Sequence, residues 1–252
     1  MAFILQGAVT FLIAVIGFFV LPDFPLRTKW LTPDERQLDH NRMELDTVGN
    51  QGETSTWQGS KQASSDGMVW VITFMAHMHL AANGFKNFFP TVVETLGFSE
   101  TTTLVLTCPP YLLAGAVTIF FSWSSGKYNE RTWHITISKG VATIGFIVAR
   151  FTFKTTGRYI AMVVFAIGTY GVTSLILGWT GSTCGQTKEK KAVAIGIVTT
   201  AMNASFIWTP YLWSKSDAPG YQIALGSNAR FSVATAATAW LAKVLVVCDY
   251  PF

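Results

Sequence analysis

Four polar residues, His79, Asn83, Lys86 and Asn87, stand at i, i+4, i+7 and i+8 inside an otherwise apolar run. On an α-helix that spacing gathers them on one stripe. Imidazole can take and release a proton near neutral pH. An ammonium can attract a carboxylate, and the two carboxamides can hydrogen-bond what it attracts. Gly84 beside Asn83 would let the helix unwind locally toward a water-filled space. The plainer reading of the same residues is that Lys86 snorkels to a surface and His79 packs. His77 points about 160° away from His79 on a helix, so the two do not form a metal site.

Other polar residues lie in similar apolar surroundings. Tyr170 sits between Gly168 and Gly171, where packing is the first expectation and contact of its hydroxyl with a ligand the second. Asn203, with Ser205 and Thr209 nearby, can hydrogen-bond a solute or a neighbouring helix. Arg230 lies within the last apolar run, and Lys243 near its end is expected to snorkel. Lys127, Glu130 and Arg131 share a short polar segment, and Lys188–Lys191 reads KEKK. That run could touch anionic lipid, but it reads first as an orientation anchor. No Asp or Glu falls within an apolar run. No nucleophile–base constellation, phosphate-binding G-x-x-x-x-G-K-[ST] or metal-ligand cluster is present, so neither an enzyme nor a cofactor is expected. The three cysteines, Cys108, Cys184 and Cys248, have no disulfide or metal spacing and read as structural thiols.

The elements that carry these residues follow from composition. Half of the 252 residues are hydrophobic and only 13% are charged, against about 25% in soluble domains. Mean hydropathy is +0.37. Disorder, a coiled coil, a collagen-like chain and a small disulfide scaffold are excluded. The net charge of +4 is not gathered on a soluble face, so nucleic acid is not an expected partner and the bilayer is.

A crossing helix needs about 20 apolar residues, and seven candidates appear. They are Met1–Leu21, Gly67–Phe89, Leu104–Trp123, Trp133–Phe153, Tyr159–Thr180, Ala192–Trp213 and Tyr221–Val247. Met1–Leu21 lacks a basic leader and a small-residue cleavage site, so it reads as a retained helix. The connection 22–66 is long. Within it, Thr32, Pro33 and Glu35 form a capping signal for a short surface helix over 33–46. The Gly-, Ser-, Thr- and Gln-rich segment 47–65 reads as a flexible linker. The segment 67–252 then holds six helices. Ten loop Lys and Arg residues lie on one side and four (Lys86, Lys154, Arg158 and Lys215) on the other. The positive-inside rule therefore places 22–66 and the C-terminus in the cytoplasm and the N-terminus outside.

Five sequence words add a resemblance. LPDFPLRTKWLTPDER, GFKNFFPTVVETLGF, SWSSGKYNERTWHI, STCGQTKEKKAVA and NASFIWTPYLWSKSDAPGY occur in this order. Together they resemble the fungal allantoate permease family, the anion:cation symporters of the major facilitator superfamily, over nearly the whole chain to about Val247. The closing CDYPF does not resemble that family's basic tail. The resemblance implies an all-α membrane protein built as helix six plus the six-helix C-terminal half of the fold. It implies a secondary transporter working by alternating access on a small organic anion, such as a vitamin, ureide or amino-acid-like solute, coupled to a proton. It makes His79, Asn83, Lys86, Asn87, Tyr170 and Asn203 substrate-cavity candidates. Lys127, Glu130 and Arg131 become gating-loop candidates, in a loop where Gly126 replaces the acid of the superfamily's G-x-x-x-D-R-x-G-R pattern. Such transporters have two six-helix halves. Helices one to five have no counterpart here, so the chain reads as a fragment, or as one that needs an N-terminal half from the same gene or another chain. The alternative is a non-transporting remnant or a regulatory or assembly protein. The family's usual location is the plasma membrane, with the vacuolar membrane second.

Overall fold

The computed structural model describes residues 2–20, 31–46, 55–94, 97, 99–152 and 154–249. The start of the long connection, the first half of the linker (47–54), the end of the fourth expected span and the tail from 250 lie outside the described residues. The chain divides into two units, 1–49 and 50–252.

The first unit holds α1 (Ala2–Val20) and α2 (Pro33–Asp46). α1 has no charged residue and presents its large side chains outward, as with Phe18 and Phe19. α2 begins at its capping signal. The Thr32 N–H and hydroxyl donate to Glu35 Oε2 (2.9 and 2.8 Å), and the Glu35 N–H donates back to Thr32 Oγ1 (3.4 Å). These bonds hold the Glu35 carboxyl below its ordinary value. Whatever they add to α2 is present above the unfolded carboxyl range and is lost as pH falls through the lowered value.

The second unit comprises α3 (Thr56–Ser65), α4 (Gly67–Ala82), a 3-10 turn (Asn83–Asn87), α5 (Phe89–Glu94), α6 (Glu100–Tyr128), α7 (Thr132–Phe151), α8 (Thr155–Tyr170), α9 (Val172–Thr183), α10 (Lys188–Trp208) and α11 (Gln222–Asp249). α4 packs on α10 and α11, α7 lies between α8 and α11, and α6 packs on α8. Two apolar clusters fill the bundle. One gathers Ile72, Ile135, Ile176 and Val198, and the other Phe85, Phe146, Phe165 and Leu225. Outward faces are apolar too: Leu112 and Ile119 of α6 are 74% and 73% exposed, as suits lipid or another helix layer.

One expectation needs correction. The segment 47–65 is not linker throughout. Its second half is α3, which buries Gly59 and Ala63 and packs on α10. Gly59 lies so close to Glu189 that a Cβ there would come within 2.6 Å of the Glu189 Cβ. Tertiary contact, which composition does not report, makes this helix. Of the seven expected membrane helices, length and hydropathy support some directly. Among the described residues, four helices have the length and hydropathy to cross a membrane: Thr101–Tyr128, Thr155–Thr183, Lys188–Leu212 and Gln222–Cys248. The apolar stretch of α1 is the shorter Ile4–Val20. α4 is only 16 residues long because the chain passes into the 3-10 turn at Asn83, and α7 carries Lys139 and Arg150.

Two local devices set the register. Asp66 links α3 to α4 and caps α4 by accepting the Met68 N–H (2.9 Å). The same carboxylate pairs with Lys190 on α10 (2.6 Å). Deeper in the bundle, Gly145 and Gly168 let α7 and α8 touch backbone to backbone. A Cβ on Gly145 would sit 2.6 Å from the Phe165 nitrogen, and one on Gly168 would sit 2.5 Å from the Ala142 nitrogen.

Gly145→Ala is therefore expected to destabilise the chain by about 1–3 kcal/mol, because backbone must move. Gly140→Ala, which meets open space, is expected to be neutral or slightly stabilising, since Ala is the better helix former by about 1 kcal/mol. Thermal unfolding of both variants in detergent checks this, and equal melting would discount the close approach. Asp66→Asn should keep the cap and lose the ion pair, whereas Asp66→Ala should lose both and cost about 0.5–2 kcal/mol more. Hydrogen exchange in the first turn of α4 reads the difference.

Candidate functional site

The expected stripe on α4 does not run straight. His79 is on the α-helix, but Asn83 to Asn87 form a 3-10 turn, with about 3.0 residues per turn in place of 3.6. Lys86 and Asn87 are thereby rotated off the line through His79 and Asn83. Gly84 stands at this change, and a Cβ there would lie 3.0 Å from the Thr209 side chain at the end of α10. His79 and Asn83 point inward and are buried, Lys86 is half-buried and Asn87 is exposed. The Lys86 ammonium lies 4.5 Å from the centre of the Phe206 ring on α10, a cation–π contact.

The His79 Nε2 hydrogen-bonds the Thr173 hydroxyl on α9 (2.9 Å). Its Nδ1 has no hydrogen-bond partner among the described residues. The neighbouring His77 is used differently. Trp208 Nε1–H donates to its Nε2 (3.2 Å), so the hydrogen is on Nδ1, which donates to the Ala201 carbonyl (2.7 Å). His77 thus ties α4 to α10 as a neutral ring stacked on Trp208.

The other cavity candidates separate. Tyr170 packs edge-on against Phe85 and Tyr111, with ring centres 6.0 and 5.4 Å apart. Asn203 is exposed on α10, and its amide donates to the Thr199 carbonyl one turn back (2.8 Å). The structure therefore brings Tyr170 to the 3-10 turn below Lys86, while Asn203 looks outward. A cavity of about 10 Å³ lies among Phe85, Phe89, Arg158, Phe165 and Trp213, room for about one water and not for an organic solute.

The α6–α7 turn braces its end of the bundle. Glu130 pairs with Lys243 on α11 (3.2 Å) and accepts the Trp133 N–H at the start of α7 (3.2 Å). Arg131 donates to the Ser182 hydroxyl on α9, and burial holds its guanidinium below the ordinary value. Lys127 stays exposed over the Trp123 and Tyr128 rings. Near the same end, Cys184 is fully buried. Burial and the Asp66 charge push its thiol up to about 11, against the opposing pull of Lys190, so it stays protonated at neutral pH and is no nucleophile.

Inspection of the stripe alone misses several interior groups. Lys139 on α7 is fully buried, and its ammonium nitrogen has no hydrogen-bond partner among the described residues. Asn228 and Ser232 on α11 are likewise buried, with unpaired side-chain atoms. The signal for Lys139 was present: a lone charge inside an apolar span is expensive, by roughly 2.5–3.5 kcal/mol on insertion scales, and marks a functional position.

This arrangement, polar groups inside a helical bundle with apolar outer faces, agrees with known proteins. The family model for the Major Facilitator Superfamily matches residues 1–210. An uncharacterised transporter of Schizosaccharomyces pombe is 28% identical over 222 residues, covering 87% of this chain and 44% of the relative. The major facilitator-type transporter hxnP of Emericella nidulans is 30% identical over 220 residues, covering 83% and 44%. The MFS transporter prlL of a fungal species is 27% identical over 184 residues, covering 71% and 37%. The chain spans less than half the length of these curated relatives. No solved structure matches it. With four-fifths of its length under the family model, and with apolar helices that carry their polar groups inward, the chain belongs to the major facilitator superfamily.

Proposed function

We propose that this chain forms helix six and the C-terminal half of a membrane transporter that carries a small organic anion together with a proton. It is not an enzyme. The observation that carries the reading is the charge inside the membrane-facing bundle. The interior and half-buried ionisable groups of α4, the turn that follows it and α7 are His77, His79, Lys86, His134, Lys139 and Arg150, all basic. A solute path walled by such groups favours an anion. Lys86 is the residue proposed to attract the solute's carboxylate. Its contact with Phe206 leaves the ammonium half-exposed at the unwound end of α4, the kind of interrupted helix that binds substrates in two-half transporters. Asn83, Asn87 and Tyr170 flank it, and Asn203 stands on the exposed face of α10.

The other wall of the path is supplied by the N-terminal half, which helices one to five from the same gene or another chain complete, and the two halves rock about the solute in alternating access. The end bearing Asp66, Lys127, Arg131 and Lys188–Lys191 lies in the cytoplasm, by the excess of Lys and Arg there. The brace formed by Glu130 and Arg131 then acts as a cytoplasmic lock within this half. It holds α7, α9 and α11 together as one rigid body while the halves move. The plasma membrane is the proposed location.

Transport into proteoliposomes tests the reading. The chain is reconstituted with and without the five helices that complete its N-terminal half, and labelled vitamin, ureide and amino-acid-like carboxylates are offered under an inward proton gradient. Accumulation with both halves, abolished by a protonophore, is the expected result. Lys86→Gln should raise the apparent KM several-fold while leaving the protein folded. Absence of any gradient-driven accumulation by the two-half protein would overturn the proposal.

A further inference from the structure

The centre of the bundle holds two basic side chains in one layer and no acidic side chain among the described residues. The depth of each can be read from neighbouring contacts. On α4 and the turn that follows, Phe85 meets Phe146 of α7 (ring centres 5.9 Å apart). Nearer the start of both helices, Ile72 and Ile135 share the other apolar cluster, so α4 and α7 run parallel. Six residues before Phe85 stands His79, and seven before Phe146 stands Lys139. The two are therefore level. α8 runs against α7 with Gly168 on the Ser138 carbonyl and the Ala142 nitrogen. That contact places the break between α8 and α9, at Gly171, within about one turn of the level of Lys139. Thr173, two residues beyond the break, holds the His79 ring through Nε2.

Both groups are fully enclosed, at 0% exposure each. Lys139 Nζ and His79 Nδ1 lack hydrogen-bond partners among the described residues, and Lys139 is within electrostatic reach of His79. The helices packed around them supply no counter-charge. From α11 come Asn228, Ser232 and Thr235; from α8 and α9 come Thr169 and Thr173; from α4 come Asn83 and, further along, the basic Lys86. Arg150 stands at the far end of α7 against Gly226. Glu130 is committed to Lys243 at the other end. Two positive charges at one depth in a low-dielectric interior repel strongly, and neither is solvated. One charge can be carried there, shared and screened by hydroxyls and carboxamides. Two cannot.

We infer that Lys139 and His79 together form a single proton-binding site, which carries one proton at a time, on one residue or the other, and uses Thr173 to fix the imidazole. The step is simple uptake: a proton from water bonds to one basic nitrogen and is released to water when the bundle opens. No other bond changes. This deepens the transport reading, on which it rests only for the claim that this is the coupling proton. It gives the half a proton carrier without an intramembrane carboxylate.

The test uses the whole chain in lipid nanodiscs, with His labelled at carbon ε1 and Lys at carbon ε, titrated by NMR from about pH 5 to about pH 11.5, a range that spans both ordinary values. His79→Gln and Lys139→Met assign the signals. Coupled groups titrate as a pair, so the His79 and Lys139 signals should move at one shared midpoint with a total uptake of one proton. In Lys139→Met the His79 midpoint should move by about one pH unit or more, the size of shift that defines a coupled pair. Replacing a buried unpaired charge by Met is expected to leave the fold intact. Thr173→Val should shift the shared midpoint without dividing it. Independent midpoints, uptake of two protons, or silence of either residue would overturn the inference. The outcomes stay separate from those of the uptake assay. A shared proton without solute accumulation refutes the transport reading alone, and accumulation with independent midpoints refutes the shared site alone.

Discussion

Where Gly145 meets the backbone of Phe165, and Gly168 that of Ala142, α7 and α8 come closer than any side chain would permit. That approach sets the depth of everything around it. It sets the break at Gly171 within about one turn of the level of Lys139, turns Thr173 toward His79, and brings Phe146 and Phe165 into a stack 4.5 Å between ring centres. In lipid no hydrophobic force draws helices together, so small residues and close packing carry the association. A shift of half a turn between these two helices would leave His79 without its hydroxyl.

The same economy explains where the acids are. Asp66 and Glu130, two carboxylates in ion pairs among the described residues, both stand at the end of the bundle where short turns join helices. Each does double work, capping a helix and holding a lysine on another. Asp66 joins the start of α4 to α10, and Glu130 joins the start of α7 to α11. These pairs are partly solvated, so their ionic energies are modest and discounted by screening. Their geometric effect is larger, because each fixes a helix start in depth and direction. The middle of the bundle is left to neutral and basic groups.

How much of this can be read in the sequence depends on how local the cause is. The capping signal at Thr32, Pro33 and Glu35 lies within four residues, and α2 starts on it. The apolar runs for α6, α10 and α11 are long enough to announce themselves by hydropathy. The helix Thr56–Ser65 is hidden in a composition typical of linkers, because what forms it is contact of Gly59 and Ala63 with α10, over a hundred residues away. The stripe from His79 to Asn87 assumed one helical period. The 3-10 turn invalidates that projection beyond Asn83, although Gly84 marked the place. Lys139 was visible as a charge in a span, yet a span charge can snorkel outward or turn inward, and only packing decides. Its partner on α4 and the hydroxyl on α9 come from helices that no spacing rule joins to it.

A basic interior has a thermodynamic consequence for any anion that enters it. Positive charge placed on the His79–Lys139 pair lowers the free energy of an anion nearby, and the anion lowers that of the charge by the same amount, because linkage is reciprocal. Coupling of about 1–3 kcal/mol, the common range between sites, amounts to roughly 5- to 150-fold in affinity. Its sign is the one that moving both together in the same direction requires. A buried carboxylate in place of Lys139 would reverse it: protonation would then remove a negative charge, and the anion would be helped by relief of repulsion, not by attraction. The two designs reach the same sign by different electrostatics. In this chain the groups at hand are an imidazole and an ammonium level with one another, with Lys86 on the next turns of the same element, so attraction is the mode its interior supports.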